Sequence, residues 1–111
     1  MSRNRIAIGV AALAMLATGN ARAQDAAAGA RVFADQKCGL CHSIAGKGNA
    51  KGPLDDVGDK LSAADIRAWI EDAAGMTTKT NAARKPAMKS YSLAKGDVDS
   101  LVAYLSGLKK K

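Results

Sequence analysis

Both cysteines and the only histidine of this 111-residue chain lie within five consecutive residues, Cys38-Gly39-Leu40-Cys41-His42. Two thiols three positions apart can form thioether bonds to the two vinyl groups of one porphyrin, and the next side chain brings an imidazole towards the iron. Because one turn of chain supplies all three bonds, this order and spacing predict covalent attachment of one haem. The rest of the chain must then fold around a large flat group.

Three other interpretations of this motif are less well supported. A thioredoxin-like Cys-x-x-Cys disulfide expects a βαβ context, and the chain has no run of β-branched residues long enough to build one. Structural zinc takes about four soft ligands, whereas the chain has no Cys or His beyond these three. A structural cysteine pair beside an unrelated histidine would rarely fall in this order when both residue types are so scarce.

The first 23 residues have the pattern of a secretory signal peptide. Two arginines precede the apolar stretch Ile6–Ala17, and Ala21-Arg22-Ala23 is an A-x-A cleavage signal. An uncleaved membrane anchor is the alternative, but this stretch of 12 residues, rising ~1.5 Å each, falls well short of the ~30 Å hydrocarbon core. We expect residues 1–23 to be removed on export to a bacterial periplasm. Residues 24–111 would form one domain with no integral membrane segment.

The charge of the mature chain is moderate. The precursor has a formal net charge of +7, but removal of Arg3, Arg5 and Arg22 leaves 14 basic and 10 acidic residues, a net charge of +4. Nucleic-acid binding would need clustered basic residues interleaved with aromatic ones. The chain has only four aromatic residues, and its acidic residues are spread among the basic ones. We therefore expect no nucleic-acid partner.

The apolar periodicity predicts an all-α fold with three main helices. The first is expected at about residues 26–36, with Asp25 as its N-cap. The second begins after the Ser62 cap and closes at Gly75. The third carries the apolar stripe from Val98 to Leu108, and its start offers no good capping oxygen.

Two long stretches between these helices have the composition of irregular segments. Residues 43–61 are rich in glycine, and residues 75–94 hold scattered polar residues together with one glycine and one proline. Structureless segments of this length in a small domain are usually functional or disordered. We expect both to be ordered by wrapping the haem.

The iron of a haem bound through His42 has a sixth position that decides between electron transfer and ligand chemistry. With no second histidine, the candidates are Met88 and Met76, with lysine or tyrosine as weaker donors. Met88 is the prediction because Pro86 stiffens the approach to it just before the last helix. Met76 follows the predicted end of the second helix, where a methionine more often fills a gap in the core.

Further motifs occur in order along residues 25–108. They are Gly29 and Phe33, Gly52-Pro53-Leu54, Trp69-Ile70, Pro86-Ala87-Met88 and Leu101-Val102-Ala103-Tyr104-Leu105. Together with the haem motif, they make the chain resemble class I cytochrome c of the small bacterial type. The resemblance implies a cytochrome c fold, in which three main helices and irregular loops wrap one covalently attached haem c.

The resemblance also implies roles for particular residues. In the family, the first and last helices cross where a glycine allows close approach against an aromatic residue, and Gly29 and Tyr104 would fill these roles. The carbonyl of Pro53 would accept the Nδ1 proton of His42, which fixes the tautomer of this ligand.

Two haem contacts are implied as well. The family commonly has one residue between the proline and the apolar residue that packs on the haem, whereas Leu54 follows Pro53 directly. Trp69 would donate its indole N–H to a haem propionate, although on pattern alone it is a core residue of an amphipathic helix. The full set of predicted haem-binding residues is Cys38, Cys41, His42, Pro53, Leu54, Trp69 and Met88, with His42 and Met88 as iron ligands.

These features predict a one-electron carrier between a donor and an acceptor redox protein. No paired carboxylates, catalytic serine or phosphate-binding loop accompanies the haem motif, so no enzymatic turnover is assigned. Two alternatives stay open: a dedicated electron-accepting subunit of an oxidoreductase, and a five-coordinate haem enzyme or gas-binding module. The protein would be a monomer or such a subunit. Lysines around the haem edge would dock the partner, and the candidates are Lys37, Lys47, Lys51, Lys85 and Lys89.

Overall fold

The computed structural model describes residues 24–110. The predicted signal peptide, residues 1–23, lies outside the described residues. Helix α1 covers residues 24–35, and a short 3-10 helix covers Cys38–Leu40. The later helices are α2 (Val57–Lys60), α3 (Ala63–Glu71), α4 (Ala73–Thr80) and α5 (Lys95–Ser106). The prediction of an all-α fold is confirmed.

Within residues 24–110, none of the helices combines the length and the apolar character needed to cross a bilayer.

A small β-hairpin directly follows the haem motif. Its strands are β1 (Ser43–Ile44) and β2 (Lys47–Gly48), which pair antiparallel. The two-residue turn between them has positive φ at both positions, 53° at Ala45 and 79° at Gly46, as a type I′ turn requires. A side-chain oxygen of Asp55 accepts a hydrogen bond from the N–H of Ala45 at 2.7 Å. This bond compensates for an uncommon conformation at a residue with a side chain.

The core lies between α3 and α5. Ile66 and Ile70 of α3 are buried together with Val98 and Leu101 of α5, and Val98 is only 2% exposed. On the outer side of the same contact, Arg67 forms an ion pair with Asp99. The i, i+4 stripe of α3 and the stripe of α5 therefore form one interface, as the periodicity predicted.

Helices α1 and α5 cross at a glycine. Gly29 is buried, and a Cβ atom at this position would overlap the carbonyl of Ser100 and the Cβ of Tyr104. The ring of Tyr104 packs edge to face against Phe33, with 6.1 Å between ring centroids and an interplanar angle of 67°. This agrees with the close approach expected for Gly29 and Tyr104.

The first helix starts earlier than predicted. Residues 24 and 25 are already helical, so Asp25 lies inside α1 and is not its N-cap.

The second predicted helix is two helices. Ser62 caps α3 as predicted, since its hydroxyl accepts the N–H of Asp65 at 3.1 Å, but α3 ends at Glu71. The side chain of Asp72 then accepts the N–H of Gly75 at 3.1 Å and starts α4. Gly75 therefore lies in the first turn of a new helix rather than closing the previous one. Helix α4 therefore occupies part of the stretch 75–94, which was predicted to be irregular.

The stretch 43–61 also contains more regular structure than predicted, namely the hairpin and α2. Two hydrogen bonds, one between backbone groups and one from a backbone N–H to a side chain, hold helix α2 against residues 108–110. The N–H of Gly58 donates to the carbonyl of Leu108 at 2.8 Å, and the N–H of Lys110 donates to the carboxylate of Asp59 at 2.6 Å. Leu108 lies beyond the end of α5 at Ser106 and still packs on the core.

Candidate functional site

The haem motif forms a tight turn after α1. Lys37 adopts a left-handed conformation with φ of 58°, which ends α1 and starts the 3-10 helix Cys38–Leu40. The carbonyl of Cys38 accepts the N–H groups of Cys41 and His42 at 3.1 and 3.0 Å. This turn brings both thiols and the imidazole to the wall of one cavity.

Both cysteines are free thiols in the structure. Cys38 is half-buried and Cys41 is exposed. Burial raises the pKa of Cys38, and the neighbouring Cys41 raises it further, while a backbone hydrogen bond and the charge of Lys89 act in the opposite direction. Both sulfur atoms are therefore available for thioether bonds to a group inside the cavity.

His42 is positioned by a backbone carbonyl. Its Nδ1 atom lies 3.1 Å from the carbonyl oxygen of Gly52. With Nδ1 engaged, Nε2 is the ring nitrogen left to bind a metal. Burial lowers the pKa of His42, and the charge of Arg84 lowers it further, whereas the bond to Gly52 raises it. The neutral form favoured by burial is the form that ligates iron.

This contact corrects the sequence prediction for Pro53. The expected hydrogen bond to His42 is made one residue earlier, by Gly52. Pro53 is exposed, forms an isolated β-bridge with Ser43 and does not line the cavity. The bridge fixes the register of this segment, since Ser43 N donates to Gly52 O at 3.0 Å and Leu54 N donates to Ser43 O at 2.8 Å. That register directs the Gly52 carbonyl to the imidazole.

The cavity has a volume of about 640 Å³ and lies between the helices and the two long segments. This volume falls within the range of about 300–1,000 Å³ that is usual for cofactor sites. Most of its wall is apolar. The apolar side chains of the wall include Phe33, Leu54, Val57, Leu61, Ile66, Trp69, Ile70, Leu93, Leu101 and Leu105. Leu54 and Trp69, both predicted as haem contacts, are therefore brought to the cavity.

The two candidate methionines lie in different places. Met88 is half-buried and lines the cavity. Met76 lies in α4, is only 8% exposed and is not among the residues of the cavity wall. Of the two thioethers, only that of Met88 shares a cavity with His42.

The segment after Met88 is fixed to the helical core by two hydrogen bonds. The hydroxyl of Ser90 accepts the N–H of Ala73 at 2.9 Å, and the N–H of Tyr91 donates to the carbonyl of Ile70 at 2.8 Å. Ala73 is fully buried. These bonds hold Met88 and the residues next to it, here called the methionine segment, against the end of α3 and the start of α4.

Several polar residues of the cavity wall were not predicted as haem contacts. Arg84, Lys89 and Tyr91 line the cavity. The ammonium of Lys89 lies 5.1 Å from the centre of the Tyr91 ring, a cation–π contact. Lys89 was predicted only as a docking lysine, and nothing in the sequence pattern separates Arg84 from a solvated surface charge.

The donor set fits a haem. Two free thiols, an imidazole with one available nitrogen and a neutral thioether share one apolar cavity, as attachment at the vinyl groups and ligation at both faces of the iron require.

The family model for cytochrome c matches residues 26–109. This region contains the haem motif, the whole cavity wall and Met88. No curated protein and no solved structure matches the chain. Because the matched region covers most of the sequence, the chain belongs to the cytochrome c family, carries a covalently attached haem c and is a haem-based electron carrier.

Proposed function

We propose that this protein carries single electrons between two redox proteins in the bacterial periplasm, with the haem iron held by His42 and Met88. The bound haem supplies the one-electron ferrous–ferric couple. The observation that carries the proposal is that His42, with only Nε2 free, and Met88 line the same apolar cavity.

The two cysteines would attach the haem, each through its sulfur atom. Cys38 and Cys41 precede His42 in one turn, so attachment and ligation use a single rigid element. A haem fixed in this way stays with the chain through every redox cycle.

His42 and Met88 would set the redox properties of the bound haem. The Gly52 carbonyl holds His42 in one tautomer. The thioether of Met88 is neutral and soft, which favours ferrous iron and raises the reduction potential. The anchors at Ser90 and Tyr91 keep this segment in place, so little rearrangement should accompany a change of redox state.

The apolar wall would exclude water from the haem. Leu54 and Trp69 belong to this wall, and we propose that both contact the haem and that the indole N–H of Trp69 binds a propionate. A dry cavity strengthens the effect of the few charges near the iron.

Partner docking would occur beside the haem motif. Leu40, within the motif, is 72% exposed, and a shallow groove next to it is lined by Lys37 and Lys47. Lys37 and Lys89 also border the haem cavity. We propose that these lysines, with Lys51 and Lys85, attract an acidic surface of the partner. Electron-transfer rates should then fall as salt is added.

Export is proposed from the N-terminal pattern of residues 1–23 and from the common export of cytochrome c domains in bacteria. The test is the mass of the protein recovered from the periplasm of an expressing bacterium. Cleavage after Ala23 would leave Gln24 as the first residue.

Voltammetry and carbon monoxide binding test the proposed function. A six-coordinate carrier should give one reversible one-electron wave, and its ferrous form should resist carbon monoxide at neutral pH. Rapid binding of the gas would instead favour the five-coordinate enzyme or gas-binding module. Gel filtration of the native protein separates a free monomeric carrier from a subunit held in an oxidoreductase.

A further inference from the structure

Asn49 lies where the hairpin meets the haem motif. It directly follows strand β2, and its backbone N–H is shared between the carbonyls of Gly39 and His42 at 3.0 Å each. Its side-chain Nδ2 atom donates to the carbonyl of Leu40 at 3.1 Å. One residue therefore binds three of the five carbonyl groups from Cys38 to His42.

Asn49 also shapes the chain that leads to Gly52. Its side-chain Oδ1 atom accepts the N–H of Lys51 at 2.9 Å, and its carbonyl accepts the N–H of Gly52 at 3.1 Å. An asparagine whose side chain accepts the N–H two residues later closes a turn of the backbone. This turn presents the Gly52 carbonyl, which is the acceptor at Nδ1 of His42.

Gly48 allows Asn49 to come this close to the haem motif. Its φ is 107°, a left-handed conformation that favours glycine. A Cβ at Gly48 would also overlap the carbonyl oxygen of His42. The backbone before Asn49 therefore passes in direct contact with the haem motif, and two neighbouring residues serve the same contact.

The bond from Asn49 to Leu40 is more than the turn needs. A turn of this kind uses only the oxygen of the asparagine side chain. Here Nδ2 also reaches a carbonyl nine residues earlier in the chain. Leu40 lies between the two cysteines, so this bond joins the turn before Gly52 to the element that carries both thiols.

We propose that Asn49 is a positioning residue of the haem site, which holds the haem motif and the Gly52 carbonyl as one rigid unit. This inference rests on the proposed ligation of the iron by His42. The Nδ2 bond fixes the motif, and the Oδ1 bond fixes the turn that presents Gly52. The Asn49 side chain thus sustains the hydrogen bond at Nδ1 of His42.

This role has a consequence for the reduction potential. A strong bond at Nδ1 makes His42 a more basic ligand, which stabilises ferric iron. Asn49 therefore keeps the potential lower than it would be with a loosely held Gly52 carbonyl. Because both side-chain bonds of Asn49 are exposed to solvent, its effect should be modest.

The experiment compares Asn49→Ala with the wild-type holoprotein at pH 7. By voltammetry, the ferric-to-ferrous ratio at a fixed applied potential should fall roughly twofold to fivefold. By NMR of the ferrous form, the ring N–H of His42 should exchange with solvent roughly threefold to tenfold faster.

Gly29→Ala is the control, because it disturbs packing at the crossing of α1 and α5, outside the cavity wall. It should change the ratio and the exchange rate by less than about twofold, even though it destabilises the fold. A ratio and an exchange rate that both stay at the wild-type values in Asn49→Ala, or equal changes in the two variants, would overturn the inference.

Hydrogen exchange of the wild-type holoprotein gives a second test that requires no variant to fold. The backbone N–H groups of Asn49, Gly52 and Ser43 belong to one network. One opening event should release all three, so their protection factors should agree within roughly threefold. Much lower protection at Asn49 would overturn the inference. A wild-type spectrum without methionine ligation would instead sink the proposed function without changing these results, so the two failures are distinguishable.

Discussion

The carbonyl oxygen of Gly52 lies 3.1 Å from Nδ1 of His42. The same oxygen accepts the backbone N–H of Ser43 at 3.0 Å. One carbonyl therefore uses both lone pairs, one to fix the imidazole and one to fix the strand that follows it. The orientation of the iron ligand is thus tied to the register of the hairpin.

Gly52→Ala should disturb this arrangement. A Cβ at position 52 would overlap the carbonyl of Cys41 and the guanidinium of Arg84. The Cys41 carbonyl cannot easily move away, because a hydrogen bond to Cys38 holds Cys41 in the turn of the haem motif. We expect a loss of roughly 1–3 kcal/mol in the free energy of unfolding, with a higher reduction potential, because weakening the bond to Gly52 makes His42 a less basic ligand that stabilises ferric iron less. Denaturant unfolding and voltammetry of the holoprotein measure the two effects.

Gly107→Ala is the control for this substitution. A Cβ at Gly107 would meet its nearest atom at 3.5 Å, which is ordinary contact. It should leave the potential unchanged. A potential equally unchanged in Gly52→Ala would contradict the role assigned to the Gly52 carbonyl.

Gly29→Ala should destabilise the crossing of α1 and α5. In an open helix this change would stabilise by about 1 kcal/mol, but here the new Cβ would overlap Ser100 and Tyr104. We expect net destabilisation in thermal unfolding. Gly96→Ala is the matched control, since Gly96 lies in α5 with open space around its Cα, and it should be neutral or stabilising. Similar effects of both changes would show that the crossing tolerates a methyl group.

Ser90→Ala should loosen the methionine segment. The Ser90 hydroxyl accepts the N–H of the fully buried Ala73, and an unpaired buried donor costs roughly 1–3 kcal/mol. The absorbance band of the sulfur–iron bond should disappear at a lower denaturant concentration than in the wild type. Ser92→Ala alters an exposed side chain and should leave that midpoint unchanged. Coincident midpoints for the two variants would exclude Ser90 as an anchor.

Asp99 should contribute a pH-dependent part of the stability. Hydrogen bonds from Lys95 and then Arg67 lower the pKa of Asp99. A carboxylate with a lowered pKa in the folded state stabilises that state above its unfolded pKa, and the stabilisation is lost as the pH falls through the folded value. Asp99→Asn should therefore be less stable than the wild type at pH 7, and the difference should shrink below roughly pH 4.

Denaturant unfolding of the holoprotein between neutral and acidic pH measures this difference. Because the side chain of Asp99 is 44% exposed, added salt should reduce this difference. A difference that stays constant with pH would mean that the ion pair between α3 and α5 is not its source.

Short sequence patterns correctly predicted the helix features that depend only on neighbouring residues. The Ser62 cap and the stripe of α3 need only nearby residues, and both are present as expected. Helix α4 was missed because glycine and threonine have low helix propensity. In the structure, Thr78 and Thr80 bond back to the carbonyls of Ala74 and Met76, and Asp72 supplies the cap.

The candidate site was predictable where one short motif contains it. Cys38, Cys41 and His42 are neighbours in sequence and form one turn. The partner of His42 depends instead on the bridge between Ser43 and Pro53, a long-range pairing that selects the Gly52 carbonyl. Arg84 reaches the cavity only through the path of residues 81–94, and no sequence spacing encodes that path.

Ligation by Met88 is tested most directly by the far-red absorbance of the oxidised holoprotein, where a methionine sulfur bound to ferric haem iron gives a weak charge-transfer band. Met88→Ala should abolish the band while the haem stays covalently attached. Met76→Ala should retain it, although loss of a buried side chain should cost roughly 2–5 kcal/mol of stability. We predict the band in the wild type and in Met76→Ala, and no band in Met88→Ala. A band that persists in Met88→Ala, or that is missing from the wild type, would contradict ligation by Met88.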